Sequence, residues 1–86
     1  MRWHEIREHY PHRWLLVEAI AARSEAGERK LEDLTVVDAF PDARTAMGGY
    51  LDRHRRSPER ELYVLHTDRE RLEIAEREWT GLRRAG

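Results

Sequence analysis

The sequence predicts an α+β fold: a small three-stranded, mostly antiparallel sheet in the order 2-1-3, with one main covering helix and short terminal helices. Three observations point there. Two apolar runs, Trp14-Leu15-Leu16-Val17 and Leu34-Thr35-Val36-Val37-Asp38-Ala39-Phe40, have strand character. A stripe of Ala43, Ala46, Met47, Tyr50, Leu51 and His54 recurs at helical spacing. A third short run, Glu61-Leu62-Tyr63-Val64-Leu65-His66, follows it.

The first element is a short helix. Trp3, Ile6 and Tyr10 share one face of it, and Pro11 ends it because the residue before a proline avoids the helical region. Residues 13–21 read as the first strand, with Trp14, Leu16 and Ile20 on one face and Leu15, Val17, Ala19 and Ala21 on the other. A strand apolar on both faces belongs in the middle of a sheet covered twice. Ser24-Glu25-Ala26-Gly27-Glu28 is polar and reads as a hairpin loop longer than two residues. Residues 34–40 form the second strand, with Leu34, Val36 and Phe40 on one face and Val37 and Ala39 on the other.

Pro41-Asp42 breaks that strand and offers Asp42 as an N-cap for a helix over residues 42–56. Gly48-Gly49 lies inside this helix and reads as a tolerated weak spot, each glycine costing roughly 1 kcal/mol relative to alanine. Ser57-Pro58 stops the helix, and residues 61–66 make the third strand. In the tail, Thr67 and Glu70 match a capping box, and Leu72, Ala75, Trp79 and Leu82 recur at helical spacing. A tail helix is the expectation; the alternation of Leu72-Glu73-Ile74 leaves an extended arm open for residues 68–83.

Connection rules supply the topology. The first two strands form a hairpin. The helix then carries the chain back, so that strand three lies parallel to strand two but beside strand one. One sheet face goes to the 42–56 helix; the other needs cover from the terminal segments or from a second chain.

The chain of 86 residues is expected to be one domain, residues 1–86. Sixteen basic and 17 acidic residues leave a net charge of -1, which argues against a dedicated nucleic-acid binder with a strong basic field. Cysteine is absent, which removes disulfides and thiolate zinc sites. Met1-Arg2-Trp3-His4-Glu5 lacks the apolar core of a signal peptide, and no run has the length of a membrane span, so the cytoplasm is the expected compartment.

Candidate chemistry is sparse. Among five histidines, His9-x-x-His12 is interrupted by Pro11 and has no partner at ligand spacing, so neither a metal nor another cofactor is expected. Asp38 and His66 fall at the same end of the sheet and form the only acid–base pair that the topology suggests, although strand one would hold their backbones about 10 Å apart. Arg53, Arg55, Arg56 and Arg60 gather at the end of the second helix, where they suit its dipole or make an anion patch. Trp79, with Leu72 and Ile74, is the candidate interface segment.

The motifs Tyr10-Pro11-x-x-Trp14-Leu15-Leu16-Val17, Phe40-Pro41-Asp42, Pro58-Glu59-Arg60-Glu61-Leu62-Tyr63-Val64 and Trp79-Thr80-Gly81-Leu82-Arg83 resemble those of a group of small bacterial proteins. These begin Tyr-Pro-x-x-Trp-Val and continue with a hairpin, a helix and a last strand; they are often encoded beside a retropepsin-like aspartic protease. The resemblance covers nearly the whole chain and implies this fold and a protease-linked partner role. It carries no active-site residues, and the chain has no Asp-Thr/Ser-Gly protease loop.

The function expected is therefore that of a small non-enzymatic module for protein–protein contact, as a homodimer or with another protein. A nucleic-acid or anion-binding accessory protein using the four arginines is the alternative from another class. A small enzyme using His66 and Asp38 is the third.

Overall fold

Hairpin, helix and strand follow in the expected order. The computed structural model describes residues 1–75. They form α1 (Trp3–His9), β1 (Trp14–Glu25), β2 (Glu28–Phe40), α2 (Ala43–Arg56), β3 (Leu62–His66) and β4 (Glu73–Ala75). The sheet order is β3-β1-β2-β4. β1 runs antiparallel to both β2 and β3, so the 2-1-3 arrangement is present and gains a fourth strand outside β2.

The hairpin strands are longer than the sequence suggests because the turn is tighter. Ala26 and Gly27 sit at φ 52° and 77°, the left-handed pair that a two-residue type I′ turn requires. The expected long loop over residues 24–28 is therefore a two-residue turn with paired residues up to its ends.

β1 is central for the reason its pattern gives. Leu15 and Val17 are fully buried on one sheet face with Trp3, Ile6, Leu34, Tyr63, Leu65 and Ile74. Leu16 is fully buried on the other with Tyr50 and Leu62, beside Val37, Phe40, Met47, Leu51 and Val64. The first face is covered by α1 and the tail, the second by α2.

The face assignments on β2 need correction. Val36 and Ala39 pack on the α1 face, whereas Val37 and Phe40 pack on the α2 face. The pairing steps from Leu16↔Asp38 to Val17↔Val36, so Val37 is an extra residue that reverses the alternation. A similar step from Ala19↔Leu34 to Ala21↔Asp33 makes Ile20 an extra residue on β1. Ile20 is 58% exposed rather than aligned with Trp14 and Leu16. A third step, from Ala21↔Asp33 to Ala22↔Leu31, adds Glu32 on β2.

α2 starts as expected: the Asp42 carboxylate accepts the Thr45 N–H at 2.8 Å. These bonds at the helix start hold its carboxyl below the usual range. The glycine pair divides. Gly48 faces open space, but a Cβ on Gly49 would lie 2.5 Å from the Phe40 ring tip, so Gly49 permits the close seat of α2 on β2.

The tail helix is not formed through residue 75. Thr67 is 3% exposed and caps nothing: its Oγ1 accepts the Arg13 N–H at 2.9 Å, and its own N–H donates to the Arg13 carbonyl at 2.9 Å. The Trp3 indole donates to the Arg69 carbonyl at 2.7 Å, and the Arg7 Nε donates to the Thr67 carbonyl at 2.8 Å. These bonds hold residues 67–69 as a turn. The alternation of Leu72 and Ile74 then carries both onto the core beneath α1.

Candidate interaction surface

The expected acid–base pair is not assembled. β1 lies between its members, with Leu16 opposite Asp38 and Trp14 opposite His66. Asp38 accepts the Ala39 N–H at 2.8 Å and faces the Arg53 guanidinium at 3.7 Å. His66 Nδ1 accepts the Asp68 N–H at 3.0 Å, and its ring stands edge-on to Trp14 with centroids 5.0 Å apart. Each group is committed to a different neighbour.

The other histidines are dispersed. His12 Nδ1 lies 2.6 Å from Asp68 Oδ1 in an exposed pair, and His12 itself holds φ 52°. His54 stacks on Tyr50 at 5.6 Å. His4 and His9 are exposed on α1. Among the described residues no three His, Cys, Asp or Glu side chains group as a metal site would need.

The arginine group is largely neutralised. Arg53 faces Asp38, and Arg56 pairs with Asp52 at 3.4 Å along the helix. Arg60 grips Glu18 with Nε at 3.2 Å and Nη2 at 2.7 Å. Those hydrogen bonds hold the Glu18 carboxyl below its usual range. Arg55 is exposed, with no ion pair among the described residues. A shallow hollow of about 380 Å³ beside Met1, Arg2, Glu5, Ala21, Glu32 and Asp33 is lined by charges of both signs, and Asp33 in it is paired with the Met1 ammonium at 2.6 Å.

Of the three residues expected at an interface, Ile74 is 4% exposed inside the chain's own core and Leu72 packs against that core. They are corrected from surface to core, because β4 docks on the first residues of β2. Trp79 lies outside the described residues.

The outer edge of β3 pairs with no other strand among the described residues. The Ala19 N–H donates to the Glu61 carbonyl, and the Thr67 N–H to the Arg13 carbonyl. In an antiparallel ladder this alternation turns the backbone groups of Glu61, Tyr63, Leu65 and Thr67 toward β1, and those of Leu62, Val64 and His66 outward. The His66 carbonyl accepts the Arg69 N–H at 3.1 Å. The outward groups of Leu62 and Val64 have no partner among the described residues.

α2 adds an apolar rim to this edge. Gly49 and Arg53 mark its β2 side, against Phe40 and Asp38. At 100° per residue, Met47, Leu51 and His54 fall on the opposite side, above β3. All three are half-buried. The signal was available in part: 2-1-3 order leaves strand three outermost, and the helical stripe is wider than one strand can cover.

The chain matches no known protein-family model, no curated protein and no solved structure. Among the described residues no helix is long and apolar enough to cross a membrane.

Proposed function

We propose that this chain is a small non-enzymatic protein–protein contact module, working in the cytoplasm, that receives an extended segment along β3 and the rim of α2. The observation that carries this is the pair of outward backbone positions, Leu62 and Val64, beside the half-buried Met47 and Leu51. An edge strand with free N–H and C=O groups is a template for strand addition, and adjoining apolar side chains add selectivity. The separation of Asp38 from His66 weighs against the enzyme. The carboxylates facing Arg53, Arg56 and Arg60 weigh against an anion site.

Val64→Pro tests this. It removes one outward N–H and leaves the bonds to β1 untouched, a placement that proline tolerates on edge strands. Native-cell capture with wild-type and Val64→Pro bait should recover a partner that the variant loses while its circular dichroism is unchanged. Equal capture by both would overturn the edge as the contact. The resemblance to proteins encoded beside a retropepsin-like protease makes such a protease the first partner to assay.

A further inference from the structure

From the bonding around Asp68 we infer that the turn after β3 is a proton-operated switch: a proton taken up by His66 swings the peptide between Thr67 and Asp68 and so releases Arg7 of α1. The inference stands apart from the β3 contact.

Donors and acceptors fix the starting state. The Asp68 N–H points at His66 Nδ1 at 3.0 Å, so that nitrogen carries a lone pair and the ring hydrogen sits on Nε2. The Asp68 carboxylate gives Oδ1 to His12 Nδ1 at 2.6 Å, while its Oδ2 stands 3.7 Å from His66 Nδ1. An ionised carboxylate only accepts, so His12 donates from Nδ1. One histidine therefore holds a hydrogen on Nδ1 and the other does not.

A proton on His66 reverses its role. Nδ1 becomes a donor, and two N–H groups then face each other across the bond. The His66 side chain is 29% exposed, so solvent supplies the proton directly. The Asp68 Oδ2 is the acceptor at hand for the new N–H, and the backbone N–H has to turn away. His12 keeps its Nδ1 hydrogen in either charge state, so its own titration does not turn the peptide.

The peptide plane carries the turn to α1. The Asp68 N–H and the Thr67 C=O belong to one planar unit and cannot rotate separately. That carbonyl accepts the Arg7 Nε at 2.8 Å. Turning the unit draws the carbonyl off the guanidinium. The Thr67 N–H and hydroxyl, both bonded to the Arg13 backbone, lie before this unit and keep the end of β3 in place.

The neighbouring elements bring no competing carboxylate. Among the described residues Asp68 holds the one carboxylate within 4 Å of a His66 ring nitrogen. β1 offers His66 the uncharged Trp14 ring. Asp38 of β2 and Arg53 of α2 face each other. The connection before β1 supplies His12, which takes the other oxygen of Asp68, and α1 supplies Arg7.

NMR of the isotope-labelled full chain tests this, titrated from about pH 8 to pH 5, where histidine side chains change charge. At the basic end a scalar coupling should join the Asp68 amide nitrogen to His66 Nδ1. It should vanish as the His66 ring charges, and the Arg7 Nε–H signal should shift with the same midpoint. His66→Phe keeps a ring beside Trp14 but offers no acceptor, so it should hold the Arg7 signal at its acid position throughout. An Arg7 signal that stays fixed while His66 titrates overturns the inference. So does an Arg7 midpoint that survives in His66→Phe, or the lack of the coupling at the basic end. The wild-type titration decides the matter even if the variant does not fold.

Discussion

The Arg29 guanidinium holds the Glu61 carboxylate through two hydrogen bonds, Nε to Oε2 at 2.8 Å and Nη2 to Oε1 at 2.7 Å. Arg29 pairs with Ser24, well beyond Ala19, which is the β1 residue bonded to Glu61. The side chains meet because the bulged hairpin bends back over the core, bringing the start of β2 toward the start of β3. Tyr63 joins them, donating its hydroxyl to Glu61 Oε2 at 2.5 Å.

Removing the charge from this clasp should loosen the bent hairpin. Both ionic partners are about a quarter exposed, so the bonds are only partly screened. Glu61→Gln keeps the shape but gives up the charge-assisted bonds, and should lower stability by about 1–3 kcal/mol in urea unfolding. A change below about 0.5 kcal/mol would mean that the core alone sets the bend.

Alkaline conditions should destabilise the fold through Tyr63. Burial first, and then the bond to Glu61, push its phenol above the ordinary value of 10.0. The folded state keeps this proton where the unfolded chain has released it. The stabilising contribution is complete below pH 10 and is lost as pH rises toward the folded value. Urea melts should show a falling midpoint above pH 10, and Tyr63→Phe should remove part of that slope. A midpoint independent of pH there would be the contrary result.

Acid should act through Glu18. Hydrogen bonds from Arg60 depress its carboxyl below the ordinary 4.5, so its contribution is present above that value and lost as pH falls through the folded one. Glu18→Gln should be less stable than wild type at neutral pH, and the two should converge in acid. Parallel curves would assign no linkage to this pair.

The two helix glycines should respond in opposite directions. Gly48→Ala enters open space and should stabilise by about 1 kcal/mol through helix propensity. Gly49→Ala drives its methyl into the Phe40 ring and should destabilise by about 1–3 kcal/mol. Separate thermal melts decide it; a shift in the same direction for both would show that the ring moves freely.

Ala26 is the unfavourable member of the turn, because an alanine held at φ 52° is strained where asparagine is at ease. Ala26→Asn completes the Asn-Gly pair that type I′ turns favour and should raise stability by roughly 0.5–1 kcal/mol. A lower melting temperature would show that the surrounding strands impose another turn.

What the sequence made legible is what repeats along it. The two-faced apolar run of β1 placed it at the centre, and the stripe on α2 identified its buried side. Extra residues have no such signature: nothing in the type of Val37, Ile20 or Glu32 announces that a strand loses step there. Ala26 hid a tight turn because it is not one of the residues that prefer one. Thr67 and Glu70 have the spacing of a cap, yet Thr67 is drawn into bonds with Arg13, far away along the chain. The arginines near the end of α2 were legible as a group, but Glu18 and Asp38 reach them only once the sheet is assembled. The clasp of Arg29 on Glu61 depends on a bend that no local pattern records.

The bonds from Trp3 to Arg69 and from Arg7 to Thr67 have a consequence for the order of events during synthesis. α1 leaves the ribosome some sixty residues ahead of its fastenings at Thr67 and Arg69. Until they emerge, the hairpin must wait with Leu15, Val17 and Leu34 unshielded. A translational pause while residues 67–75 are still inside the ribosome would prolong that exposure, whereas one after they have emerged would let the described layers close.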